Sequence, residues 1–145
     1  MTPSSPTSPA PTYSLALVAR LTREHGAARL NFFTKTFVDA LSHPANASTQ
    51  RQRAMIEEEP QLLDEPWINA LLAGIAEFIA NREDFEPPAW THKPERFLPQ
   101  PLFWGVLPAT RAHMLAETPG PFRRRNLFCG YIHLHTPRWG PPPDA

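Results

Sequence analysis

Cys129, His133 and His135 fall on one face if residues 128–135 run as a strand, because side chains alternate with period two. Three such ligands converging would suit a transition metal. Structural zinc, however, usually takes four ligands, and His25, His43, His92 and His113 lie at no recognisable ligand spacing. The plainer account is a half-exposed strand whose polar face includes two histidines. Cys129 beside His133 also has the makings of a nucleophile and base, but a single cysteine between Phe128 and Gly130 reads far better as a small buried apolar side chain. No further catalytic set is present. The sequence has no G-x-S-x-G elbow, no H-E-x-x-H pair, no phosphate-binding G-x-x-x-x-G-K-[ST] and no G-x-G-x-x-G turn, and its six glycines are dispersed. The expectation is a protein that is not an enzyme and carries no cofactor.

The remaining polar chemistry is recognition. Arg123, Arg124 and Arg125 follow the aromatic anchor Phe122 and form the strongest basic cluster, suited to phosphates or to a partner's carboxylates. Three adjacent like charges are costly without opposite charge nearby, so internal pairing with Glu57, Glu58, Glu59, Asp64 or Glu65 is the alternative. Aromatic residues alternate with prolines in PPAWTHKPERFLPQPLFWGVLP, where Trp90, Phe97, Phe103 and Trp104 can fill grooves while the prolines limit the entropy lost on ordering. Trp90, Phe97, Trp104, Arg123, Arg124 and Arg125 are therefore the candidate partner-binding residues, with Trp90 and Phe97 equally suited to a core.

These residues need helices to position them. Leu15, Leu17, Val18 and Leu21 predict a helix over 14–24, capped by Ser14 or Thr12 and interrupted by Gly26. Leu30, Phe33, Phe37 and Leu41 predict a second over 27–42, stopped by Pro44. A polar third helix over 49–58 ends in three glutamates, the wrong charge for a helix C-terminus, and must rely on packing. The strongest pattern is 65–82, with Asp64 as N-cap and Trp67, Ile68, Leu71, Leu72, Ile75, Phe78 and Ile79 as its apolar stripe. Ala70, Ala73, Ala76, Asn69, Glu77 and Asn81 occupy its other faces, with Gly74 permitting a close neighbour. A short helix from Pro108 to Glu117 and one strand within 122–135 complete the reading.

The fold expected is mainly α: a compact bundle of four or five short helices, a Pro/aromatic wrapping segment and at most one short C-terminal strand. Residues 1–12 read as a flexible Pro/Ser/Thr-rich arm, 13–136 as a single helical domain and 137–145 as a Pro-rich tail. The 145 residues fit one domain, and 41% hydrophobic residues with 4 Trp and 9 Phe suffice for a core. Nineteen prolines divide the chain into short elements. Lys and Arg total 14, as do Asp and Glu, so there is no general basic excess to drive non-specific nucleic-acid binding. The helix pair 14–24 and 27–42 partly imitates a helix-turn-helix, but Asn31, Thr34, Lys35, Thr36 and Asp39 make a weakly cationic reading face. One cysteine, no signal-like N-terminus and no apolar run near the roughly 18 residues of a membrane span point to the cytoplasm.

Residues 64–128 resemble a small bacterial antitoxin- or regulator-type domain. The resemblance rests on W-x-x-A-L-L-A-x-x-A-E (Trp67, Ala70, Leu71, Leu72, Ala76, Glu77), P-A-W (Pro88, Ala89, Trp90), R-F-L (Arg96, Phe97, Leu98), Arg111 with Ala112, and P-x-x-F-R-R-R ending in Pro121 to Arg125. The chain departs from that pattern at 100–107 and in its ending NLFCGYIHLHTPRW. In the family such domains follow a helix-turn-helix regulator or stand beside a nucleotidyltransferase-like gene in toxin–antitoxin arrangements. The resemblance implies no catalytic residues. It implies an antitoxin-like or regulatory protein that binds and neutralises a cognate bacterial enzyme; the basic cluster leaves a DNA-binding transcriptional regulator as the alternative, and Cys129, His133 and His135 leave a small metalloprotein behind both.

Overall fold

The computed structural model describes residues 13–103 and 111–129. The first helix, α1 (Leu15–His25), starts where the Ser14 side chain accepts a hydrogen bond from the Leu17 N–H at 3.1 Å. It stops at Gly26, whose φ of +102° is costly for a residue with a side chain. One 3₁₀ turn (Ala27–Arg29) leads into α2 (Leu30–Ser42), which buries Leu30, Phe33, Phe37 and Leu41 along one stripe. A second 3₁₀ turn (Pro44–Asn46) leads to α3 (Thr49–Glu57), capped by Ser48.

The polar α3 is held by tertiary contacts. It buries Met55 and Ile56, and the fully buried Gln52 amide donates to the Leu41 and Asn46 carbonyls at 3.1 Å each. The same side chain accepts from Arg82 Nη2 at 2.6 Å, so one glutamine joins the end of α2, the start of α3 and the last residue of the next helix, α4 (Pro66–Arg82). A buried amide with all these partners satisfied rigidifies the junction.

Helix α4 is central, packing on α3, on two 3₁₀ turns (Ala89–His92 and Pro94–Arg96), on a short helix α6 (Gly120–Arg123) and on a short strand β2 (Leu127–Phe128). Two sequence expectations need correction here. The N-cap is Glu65 and not Asp64, because Pro66 at the first helical position lacks an N–H and sets the start one residue later. Asn69 and Glu77, expected on a polar face, are both buried, since α4 is covered on nearly every side. Asn69 exchanges hydrogen bonds with the Leu63 N–H (2.8 Å) and carbonyl (3.0 Å), and thereby ties the segment that precedes α4 to the helix's first turn.

The C-terminal part comprises β1 (Leu102–Phe103), α5 (Arg111–Glu117), α6 (Gly120–Arg123) and β2 (Leu127–Phe128). The strands pair in parallel, Leu102 opposite Leu127 and Phe103 opposite Phe128, with the two phenylalanine rings stacked at 4.9 Å. The strand expected over 122–135 therefore begins only at Leu127, because Phe122 and Arg123 are helical and Asn126 turns the chain at φ +65°. Its partner β1 was not foreseen, for a pair of two-residue strands carries no readable alternation. The architecture is mainly helical, as composition and periodicity required. No described helix is long and apolar enough to cross a membrane.

Candidate functional site

Phe122 sets the position of the arginine cluster. Its ring lies so close to Gly74 that a Cβ there would sit 2.4 Å from Phe122 Cδ1. Gly74 and Glu77 are three residues apart and share a helix face, so docking Phe122 on one brings the following arginines to the other. Arg125 is fully buried. It donates through Nη1 to Glu77 Oε1 and to the Pro121 carbonyl (2.8 Å), and through Nη2 to the Thr91 carbonyl (2.7 Å). Arg124 Nη2 donates to Glu77 Oε2 at 2.5 Å while its side chain stays 52% exposed. Arg123 is exposed and donates to the Thr118 carbonyl at 2.7 Å. The triplet thus divides into one inward, one bridging and one outward arginine.

Beside it lies a second layer. Trp90 is 5% exposed, donates its indole N–H to the Ile56 carbonyl at 3.1 Å, and carries the Arg96 guanidinium 4.8 Å above its ring. Phe97, half-buried, takes the Arg125 guanidinium in the same manner at 4.6 Å. Arg96 is fully buried and donates from Nη2 to the Pro60 carbonyl (2.5 Å) and to Glu59 Oε2 (3.3 Å). Lys93 Nζ reaches the other Glu59 oxygen at 2.9 Å. Burial draws both buried arginines below the usual arginine range, opposed by hydrogen bonds and charge from Glu59 for Arg96 and from Glu77 for Arg125. Lys93 foremost holds the Glu59 carboxyl below the ordinary carboxylate value.

Of the candidate partner-binding residues, Trp90 and Arg125 lie in the interior, Phe97 is partly covered, and Arg123 and Arg124 reach the surface. Trp104 lies outside the described residues. The internal partner of the triplet is Glu77, not Glu57, Glu58, Glu59, Asp64 or Glu65, because the Gly74–Phe122 contact aims it there. Glu59 instead serves Lys93 and Arg96. Glu77 and Arg96 carry no expectation of contact in the sequence, whereas Glu59 does pair with basic side chains, though not with the triplet. The usable signal was that Glu77 is the one acidic residue within α4.

The zero net charge also conceals a pattern. Residues 13–56 contain six basic and two acidic side chains, 57–86 one and nine, and 87–129 six and two. Glu59 and Glu77 come from the acidic block and meet the basic block that follows it. As for Cys129, burial pushes its thiol up to about 11, which leaves little thiolate at neutral pH. His133 and His135 lie outside the described residues, and among those described no group of His, Cys, Asp and Glu is placed to hold a metal. No family model, curated protein or solved structure matches the chain.

Proposed function

We propose that the chain is an antitoxin-like or regulatory protein that binds a cognate bacterial enzyme of nucleotidyltransferase type and holds it inactive. The observation that carries this reading is the split of the arginine triplet. Arg125 and Phe122 anchor the turn from within, so Arg123 and Arg124 are presented outward from a fixed backbone. A pre-ordered cation loses less entropy when it meets a partner's carboxylates. Leu115, 47% exposed, lies on the preceding helix α5, whose end is tied to the turn through Thr118. An exposed apolar side chain on the helix that leads into the arginine turn suits an acidic surface with a hydrophobic centre.

The test is co-expression of the full chain with the product of the adjacent gene. A stable complex on gel filtration at micromolar concentration, with loss of the enzyme's activity, is the expected result. Arg123→Glu, which leaves the Glu77 contacts intact, should weaken the complex at least about tenfold. Two proteins that elute separately at that concentration would remove the reading, and a salt-sensitive shift of upstream DNA by the chain alone would replace it with a DNA-binding regulator.

A further inference from the structure

Among the described residues, Arg96 is the least satisfied charged group in the interior. Its side chain is fully buried, yet Nε and Nη1 have no hydrogen-bond partner among the described residues. Only Nη2 is engaged, tightly by the Pro60 carbonyl and loosely, at 3.3 Å, by Glu59. Charged donors buried without acceptors are rare and demand an explanation. The geometry of guanidinium supplies one. Its two edges that can grip an oxyanion with paired N–H groups are Nε with Nη2 and Nη1 with Nη2. Each edge joins the nitrogen already touching Glu59 to one that has no partner.

Glu59 cannot exploit this. Its carboxylate is tethered to the chain next to the buried Pro60, and its other oxygen is held by Lys93 at 2.9 Å. The pair is also easily opened, since Lys93 is 52% and Glu59 36% exposed, and ion pairs of that exposure contribute little. We propose that Lys93 and Arg96 form a binding site for a phosphate-type oxyanion, in which the ligand takes the place now held by the Glu59 carboxylate. A free tetrahedral anion has oxygens for Lys93 and for two Arg96 nitrogens together. Glu59 then acts as the resident competitor, and the ring of Trp90 forms the wall behind the guanidinium. The site is independent of the partner-binding reading, which rests on Arg123 and Arg124.

The full chain is titrated with inorganic phosphate at constant ionic strength, balanced by chloride, following both its melting temperature and the heat of binding. Wild type should show a saturable response to phosphate and none to chloride. Glu59→Ala, a substitution at a partly exposed position, should bind phosphate about fivefold more tightly because the competitor is gone. Arg96→Gln should abolish the response, and Arg124→Gln should keep it. A parallel titration with glycerol phosphate distinguishes a free anion from a phosphomonoester, the stronger response naming the source. If neither wild type nor Glu59→Ala distinguishes phosphate from chloride, the proposal is wrong, whether or not Arg96→Gln folds. A folded Arg96→Gln that retains the response overturns it equally.

Discussion

Whether Arg125 can be buried is decided by one carboxylate, Glu77. A guanidinium taken out of water needs its charge answered and its donors satisfied. Glu77 answers the charge, and the Thr91 and Pro121 carbonyls take further donors. Replacing Glu77 by Leu should therefore cost about 3–5 kcal/mol in urea unfolding, the range for stranding one member of a buried pair. Combining it with Arg125→Met should cost less than Glu77→Leu alone, because the stranded charge is removed too. A loss under 1 kcal/mol for the single variant would show that the pair is not buried as described. Glu59 behaves differently because it is more exposed. Its folded-state pKa lies below the usual 4.5, so the stability it contributes is present above that value and fades as pH falls through the lowered one. Glu59→Gln should melt earlier than wild type near about pH 6, with the gap closing toward about pH 3. A gap constant across that window would count against the Lys93 and Arg96 contacts.

Among the elements, α4 owes its central place to small residues as much as to large ones. Ala70, Ala73, Ala76 and Gly74 allow neighbours to approach on flanks where a longer side chain would hold them off. Gly74→Ala forces a methyl into the Phe122 ring and should cost about 1–3 kcal/mol, the usual range for overpacking. Gly120 has open space around the same added atom, so Gly120→Ala should be close to neutral. Equal effects of the two changes on the denaturation midpoint would refute the tight contact. At α3 the helix depends on its cap and on Gln52, having few apolar residues to bury. Ser48→Ala should cost about 1 kcal/mol by removing the acceptor for the Arg51 N–H, and a variant as stable as wild type would mean that the Ser48 cap contributes nothing.

At the scale of the whole molecule, Trp90 joins the two ends of the described fold. Its indole is bonded to α3, and the 3₁₀ turn that carries it packs on α4 and supplies the Thr91 carbonyl to Arg125. Melting one part should release the others, so far-UV circular dichroism and tryptophan fluorescence should follow one coincident urea transition. Separate midpoints would show that α1 to α3 unfold apart from the rest.

Much of this was legible in local patterns. The helix-period spacing of Leu30, Phe33, Phe37 and Leu41 decided α2 and its buried face, and Ser14 and Gly26 marked the ends of α1, because periodicity and capping act within a few residues. Local patterns put Glu77 on a polar face and Asp64 at the cap, and charge runs alone paired the triplet with the acidic stretch from Glu57 to Glu65. The cap moved because Pro66 stands two residues on, and the other two choices failed because Glu77 meets Arg124 and Arg125 through packing across 47 and 48 residues of chain, which no local pattern encodes. The pairing depends on how closely α6 approaches α4, which the absent side chain of Gly74 and the ring of Phe122 set together. The sequence by itself therefore determined a mainly helical chain with an aromatic and arginine-rich C-terminal half. Only the tertiary structure decided which arginine faces inward, because burying a charge requires an acceptor that packing, and not sequence neighbourhood, brings into reach.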